Sequence, residues 1–168
     1  VEPDRHHTWF GEVSLTGVDR RHTWTIGGAM QQDAFRSEMV PRFDYTHTVP
    51  AVFVQDEVDV ADWLAVSASA RLDQHSEYGS QLSPRVSGLI RWGSPWETRV
   101  SVGRGYYAPT PFTDETEAVG LVGLAPLGEL DAERADSASV DITWAQEPFE
   151  LTGTLFGSRI RDALQVLD

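Results

Sequence analysis

Apolar and polar or small side chains alternate along nearly the whole chain, segment after segment. That period of two is the feature that most limits what the sequence can fold into. Over 64–73, Leu64, Val66, Ala68, Ala70 and Leu72 share one parity and Ala65, Ser67, Ser69, Arg71 and Asp73 the other. Successive strand residues point to opposite faces of a sheet, so such a segment reads as a strand with two different surroundings. The same pattern recurs over 9–18, 23–31, 52–60, 85–92, 99–107, 137–144 and from 150 toward 161. The expectation is therefore about eight antiparallel strands, with no segment of helical period.

Connections predicted at 18–22, 60–62, 93–95 and 145–148 are short, and those at 32–48, 74–81 and 109–133 are long. Short turns at one end and long loops at the other characterise outer-membrane barrels, whose strands need about 9–11 residues to cross a tilted path through the bilayer. Trp63, Trp92, Trp96, Trp144 and Phe149 fall beside the short turns, with Trp24 near the first. Indole favours a boundary that is apolar on one side and wet on the other; core tryptophans at strand ends are the alternative. Arg71, Asp73, Arg85, Arg91, Arg99, Asp141 and Glu150 keep to the polar parity, which suits a wet interior. Arg104 and Asp56 sit on the apolar parity. Arg104 is placed above the lipid band, whereas Asp56 requires either an interfacial site or a different parity, since charge on the lipid side is costly.

Composition excludes rather than identifies. A formal charge of -13 disfavours a nucleic-acid partner. With no cysteine, no disulfide scaffold or thiolate zinc site is available. No apolar run is long enough for a transmembrane helix, a fact without bearing on a barrel. The chain starts at Val1 without an initiator methionine or signal peptide and stops near a strand, and it reads as a piece of a longer protein.

The wording of three stretches carries a resemblance. RVSVGRGYYAPT at 99–110 ends a strand, LDAERADSASVDITW at 130–144 re-enters after a long acidic loop, and RLDQHSEYGSQLSPRVSGLIRW at 71–92 forms a hairpin. Together they resemble the β-barrel of TonB-dependent outer-membrane receptors, with Ala132 where the family usually has proline before its glutamate. The resemblance implies an all-β, antiparallel, up-and-down transmembrane barrel segment: 1–168 as part of a barrel of about 22 strands, with plug and signal peptide absent. It also implies uptake of a scarce nutrient, an iron–siderophore complex or a cobalamin-like compound, across the bacterial outer membrane. The partners implied are outer-membrane lipid, the small-molecule or metal-chelate ligand, and a TonB complex acting through a plug outside this chain. The alternatives are a self-closed eight-stranded barrel, membrane-bound or soluble and lipocalin-like, and a surface adhesin.

Chemistry-bearing residues are sparse. Gly103-x-Gly105-x-x-Ala108 imitates a dinucleotide fingerprint, but Pro109 and Pro111 follow where that chemistry needs a helix. His6, His7, His22, His47 and His75 show no metal-binding spacing, and His6-His7 reads as a solvated loop. Asp73, His75 and Glu77 read as a polar loop tip able at most to collect a cation. Asp114, Glu115, Glu117, Glu129, Asp131 and Glu133 offer oxygen ligands without an EF-hand register. No nucleophile–base pair is evident, so neither enzymatic activity nor a cofactor is expected. Tyr106, Tyr107 and Phe112, near the presumed outer rim, are the candidates for ligand contact, with packing of the loop as the alternative.

Overall fold

A computed structural model describes residues 4–38, 40–110 and 131–162. Eight strands run in chain order: β1 (Asp4–Asp19), β2 (His22–Ser37), β3 (Tyr45–Ala61), β4 (Leu64–His75), β5 (Gly79–Gly93), β6 (Trp96–Tyr107), β7 (Glu133–Gln146) and β8 (Phe149–Arg161). They form one antiparallel sheet in which each strand pairs with its sequence neighbours. The up-and-down expectation holds. No pairing joins β1 to β8 among the described residues, so the sheet does not close on itself as an eight-stranded barrel.

The register carries one parity unbroken across all eight strands. Leu15, Ile26, Val54 and Ala70 lie in one row, continuing to Pro84. Val86, Val102 and Ala138 lie in another, ending at Gly157. This apolar face is the open one, with Val13 80%, Val52 61% and Leu155 76% exposed. The opposite parity is small and polar and holds the buried positions Ala51, Ala65, Asp73, His75 and Gln81. A row of four serines (Ser67, Ser87, Ser101 and Ser139) crosses β4 to β7 on that side. The sheet is thus apolar outward and polar inward, the reverse of a water-soluble binder. Phe10, Phe156 and Ile160, on the inner parity of the end strands, are also exposed.

All four short connections contain two residues: 20–21, 62–63, 94–95 and 147–148. Arg20 supplies φ 55 and Gly93 φ 104, the left-handed backbone that tight hairpins require. The opposite end carries the segments 38–44, 76–78 and 108–132. Two of these are shorter than expected. β2 and β3 stay paired up to Phe35 and Tyr45, and β4 and β5 up to His75 and Gly79. Backbone hydrogen bonds continue the ladder where apolar alternation has faded, so hydropathy underestimates strand length. A short 3-10 turn (Pro41–Phe43) fills the first connection, and Val40 and Phe43 pack on Phe35 and Tyr45.

Both exceptions on the apolar parity find a place. Asp56 lies in the row of Trp24, toward the short turns, and its Oδ2 is 2.8 Å from His22 Nδ1. The parity is right, and the carboxylate sits in the aromatic margin with an imidazole beside it. Arg104 lies one row beyond Val102 and donates to Asp136 at 2.7 Å, while Arg161 reaches the other oxygen at 2.5 Å. The margins are marked by Trp63, Trp92, Trp96 and Phe149, all exposed near the short turns. Trp9 at the far margin bonds through its indole N–H to Gln32.

Candidate functional site

The inner parity of β1 to β4 changes character toward the long-loop end. It runs from Gln31 to Asp33 and Phe35 on β2, from Ala51 through Val49 and His47 to Tyr45 on β3, and from Arg71 through Asp73 to His75 on β4. The pleat thereby aligns rings from adjacent strands, because side chains two residues apart share a face.

The result is a ladder of six rings. His6 meets Phe35 and Tyr45 edge-on at 6.3 and 6.4 Å, and Phe35 stacks with Tyr45 at 6.1 Å. Tyr45 stacks on His47 at 4.5 Å, His47 meets His75 at 4.9 Å, and His75 meets Tyr78 at 4.9 Å. Hydrogen bonds hold both ends. Asp33 accepts from Thr8 at 2.6 Å, from Tyr45 at 2.9 Å and from His6 Nε2 at 2.7 Å. Ser76 N–H donates to the Thr48 carbonyl and Tyr78 O–H to the Pro109 carbonyl, at 3.0 and 2.6 Å. These bonds tie the 76–78 turn to β3 and to the end of β6.

Protonation states follow from burial and neighbours. Partial burial would raise the Asp33 carboxyl, but its three hydrogen bonds outweigh this and hold it below the usual range. Burial raises the Tyr45 phenol, and its bond to Asp33 raises it further. Burial lowers His47 against the pull of Glu77 and Asp33. His75 is lowered by burial first and by His47 second. His75 Nδ1 accepts from the backbone N–H groups of Glu77 and Tyr78 at 3.1 and 3.2 Å. Its proton therefore resides on Nε2, since an accepting ring nitrogen carries none. Burial thus favours the neutral forms of His47 and His75, while Asp33 is held as a carboxylate.

A pH dependence follows. The two imidazoles bind a proton less readily here than at the ordinary value of 6.5. Order in the ladder is therefore complete above about pH 6.5 and is lost as pH falls through the lowered values. Protonation of His75 also removes the acceptor for two backbone donors. Ring-carbon NMR of labelled histidine should give midpoints below 6.5 for both, and His47→Gln should move the His75 midpoint upward. An unshifted His75 would contradict the contact.

The residues named from sequence lie close to this wall in part. Tyr106 and Tyr107 end β6. Burial raises the Tyr106 phenol, and Asp73 adds to it while Arg71 opposes. Tyr107 is 55% exposed. Burial raises the Tyr78 phenol, with Glu77 and then Tyr107 adding to it. Phe112, together with Asp114, Glu115, Glu117 and Glu129, lies outside the described residues. Two loop assignments are corrected. His6 belongs to β1, paired with Phe35. Asp73 and His75 are each only 4% exposed rather than solvated at a tip, because β4 extends through them. Asp73 binds Arg71 at 2.9 Å, and no group of three metal-ligating side chains occurs among the described residues. Tyr45 and Tyr78 carry no site role in the sequence reading, and His47 appears there only as a histidine without metal spacing. For Tyr45 and His47 the signal is parity continuing past the apolar stretch, Ala51-x-Val49-x-His47-x-Tyr45, whereas Tyr78 lies in the 76–78 turn, where no parity applies.

The chain matches, over residues 3–168, the family model described as TonB dependent receptor-like, beta-barrel. It is 31% identical over 100 residues to the iron-regulated outer membrane virulence protein of Vibrio cholerae serotype O1, covering 59% of this chain and 14% of that protein. Among solved structures, the FrpB iron transporter from Neisseria meningitidis superposes with a TM-score of 0.78 at 16% identity, covering 95% of this chain and 29% of that one. The siderophore receptor PirA from Pseudomonas aeruginosa gives 0.74 at 19% identity, with 91% and 30% covered. The chain thus spans under a third of these relatives.

Proposed function

Given that this chain belongs to the TonB-dependent receptor-like β-barrel family of the bacterial outer membrane, we propose that it forms part of the wall of a receptor that imports a scarce iron chelate. The observation that carries this reading is the ring ladder at the long-loop end of a polar inner wall. A bulky ligand arriving from outside meets the accessible rings of His6, Tyr45, His47 and Tyr78 there, backed by the buried Phe35 and His75, before it reaches the serine-lined wall below. Tyr106 and Tyr107, at the end of β6, extend the ligand contact, and Phe112 is proposed as a further contact residue.

In this reading the apolar parity faces outer-membrane lipid, and the free edges of β1 and β8 pair with further strands of a larger barrel, since unpaired edges within lipid are not tolerated. Energy comes from a TonB complex acting through a plug elsewhere in the protein. The similar proteins are an iron-regulated outer membrane protein, a siderophore receptor and an iron transporter, which favours an iron chelate over cobalamin. The role is that of a receptor, not an enzyme.

Cells that depend on the full-length receptor under iron limitation should accumulate radioiron supplied as a chelate. Inactivating TonB should abolish the accumulation. Uptake that persists without TonB, or that is equal in cells lacking the receptor, would refute the reading.

A further inference from the structure

The ladder ends beside a hollow of about 330 Å³ at the long-loop end, lined by Glu77, Tyr78, Gln81, Asp131, Ala132, Arg134 and Asp162. Three carboxylates face one guanidinium there. Tyr78 belongs to both features, its ring closing the ladder and its edge lining the hollow.

The charges near the rings tell in the same direction. Asp33 is held ionised under His6 and Tyr45. His47 and His75 are kept neutral. The nearby cations are already engaged: Arg71 by Asp73 at 2.9 Å, and Arg36 by the carbonyls of Phe35 and Tyr45 at 2.9 and 2.8 Å.

We infer that this wall selects a neutral or cationic iron chelate, the accessible rings of the ladder (His6, Tyr45, His47 and Tyr78) taking the chelate body over the buried Phe35 and His75, and the acid-lined hollow beside Tyr78 taking a protruding cationic group; the inference rests on the receptor reading above. Ring faces attract cations through their quadrupoles. The ladder and hollow thus act together on an ammonium-bearing ligand, while a polyanionic chelate pays repulsion from Asp33 and from the three carboxylates of the hollow that its one guanidinium, Arg134, offsets only in part.

The test uses purified full-length receptor in detergent, with binding followed by quenching of tryptophan fluorescence. Three probes serve: a ferric tris-hydroxamate carrying a free ammonium group, an uncharged ferric tris-hydroxamate, and the trianionic ferric tris-catecholate. The ammonium-bearing chelate should bind tightest, and the tris-catecholate about tenfold or more weaker. Glu77→Gln combined with Asp131→Asn should weaken the ammonium-bearing chelate about tenfold, at roughly threefold per partly exposed carboxylate, and leave the uncharged one unchanged. His47→Leu removes a ring without altering charge and should weaken both hydroxamates about fivefold.

Tris-catecholate binding as tight as the cationic chelate would overturn the charge selection while leaving the receptor reading standing. So would indifference of both hydroxamates to His47→Leu, which would remove the ladder from the contact. Absence of binding to every probe, together with absence of TonB-dependent iron uptake, would sink both readings.

Discussion

Val86→Arg should destabilise the full-length barrel by about 2–4 kcal/mol, the cost of a cation on the lipid side near mid-membrane, while Ser87→Arg one residue away should leave it nearly unchanged. Val86 lies in the apolar row with Ala68 and Val102, and its side chain is 49% exposed on the open face. Ser87 lies in the serine row with Ser67 and Ser101 on the inner wall. Arg85, two residues earlier on the same parity, is already a guanidinium on that side. Folding into lipid vesicles, followed by urea titration and by heat-modifiable gel mobility, measures the difference. Equal penalties for the two variants would mean that the two faces do not see different solvents, and the membrane reading of the register would fail.

Gly27→Val should cost about 1–3 kcal/mol, the usual penalty of forcing atoms into a filled space. A Cβ at Gly27 would meet the carbonyl oxygen of Val13 at 2.6 Å and would also run into the Phe53 ring, which lies over the glycine from the paired strand. The backbone oxygen cannot move aside, so the ring and the β1–β2 pairing must both give. Gly17 is covered in the same way by the Trp24 indole, its partner in register. Gly88→Val is the control, because nothing lies within 4 Å of its added Cβ. The same folding assay compares them. A Gly27→Val barrel as stable as Gly88→Val would show that the aromatic cover over Gly27 contributes nothing.

The parity of the strands was legible because it needs only local information. Alternation at period two assigns Leu64, Val66, Ala68, Ala70 and Leu72 to one face whatever surrounds them, and the register extends that face across eight strands. The turns were legible at Asp19-Arg20-Arg21-His22 and at Gly93-Ser94-Pro95, where the residue types punctuate the chain. Strand ends were not. Gln32, Asp33, Thr46, His47 and Thr48 break the apolar alternation and read as loop, yet they pair between β2 and β3.

The ladder was illegible for a further reason. His6, Phe35, Tyr45, His47, His75 and Tyr78 come from four strands and a turn, and no spacing in the chain links position 6 to 35 or 47 to 75. The amino-acid sequence by itself determined an antiparallel sheet with one apolar and one polar face, since that depends on neighbours two residues apart. Only the tertiary structure decided that the apolar face is the open one, that β1 and β8 stay unjoined among the described residues, and that histidines far apart in the chain stack at one rim. Those outcomes depend on which strands lie side by side and in what register, and the energy that selects them arises between strands, not along them.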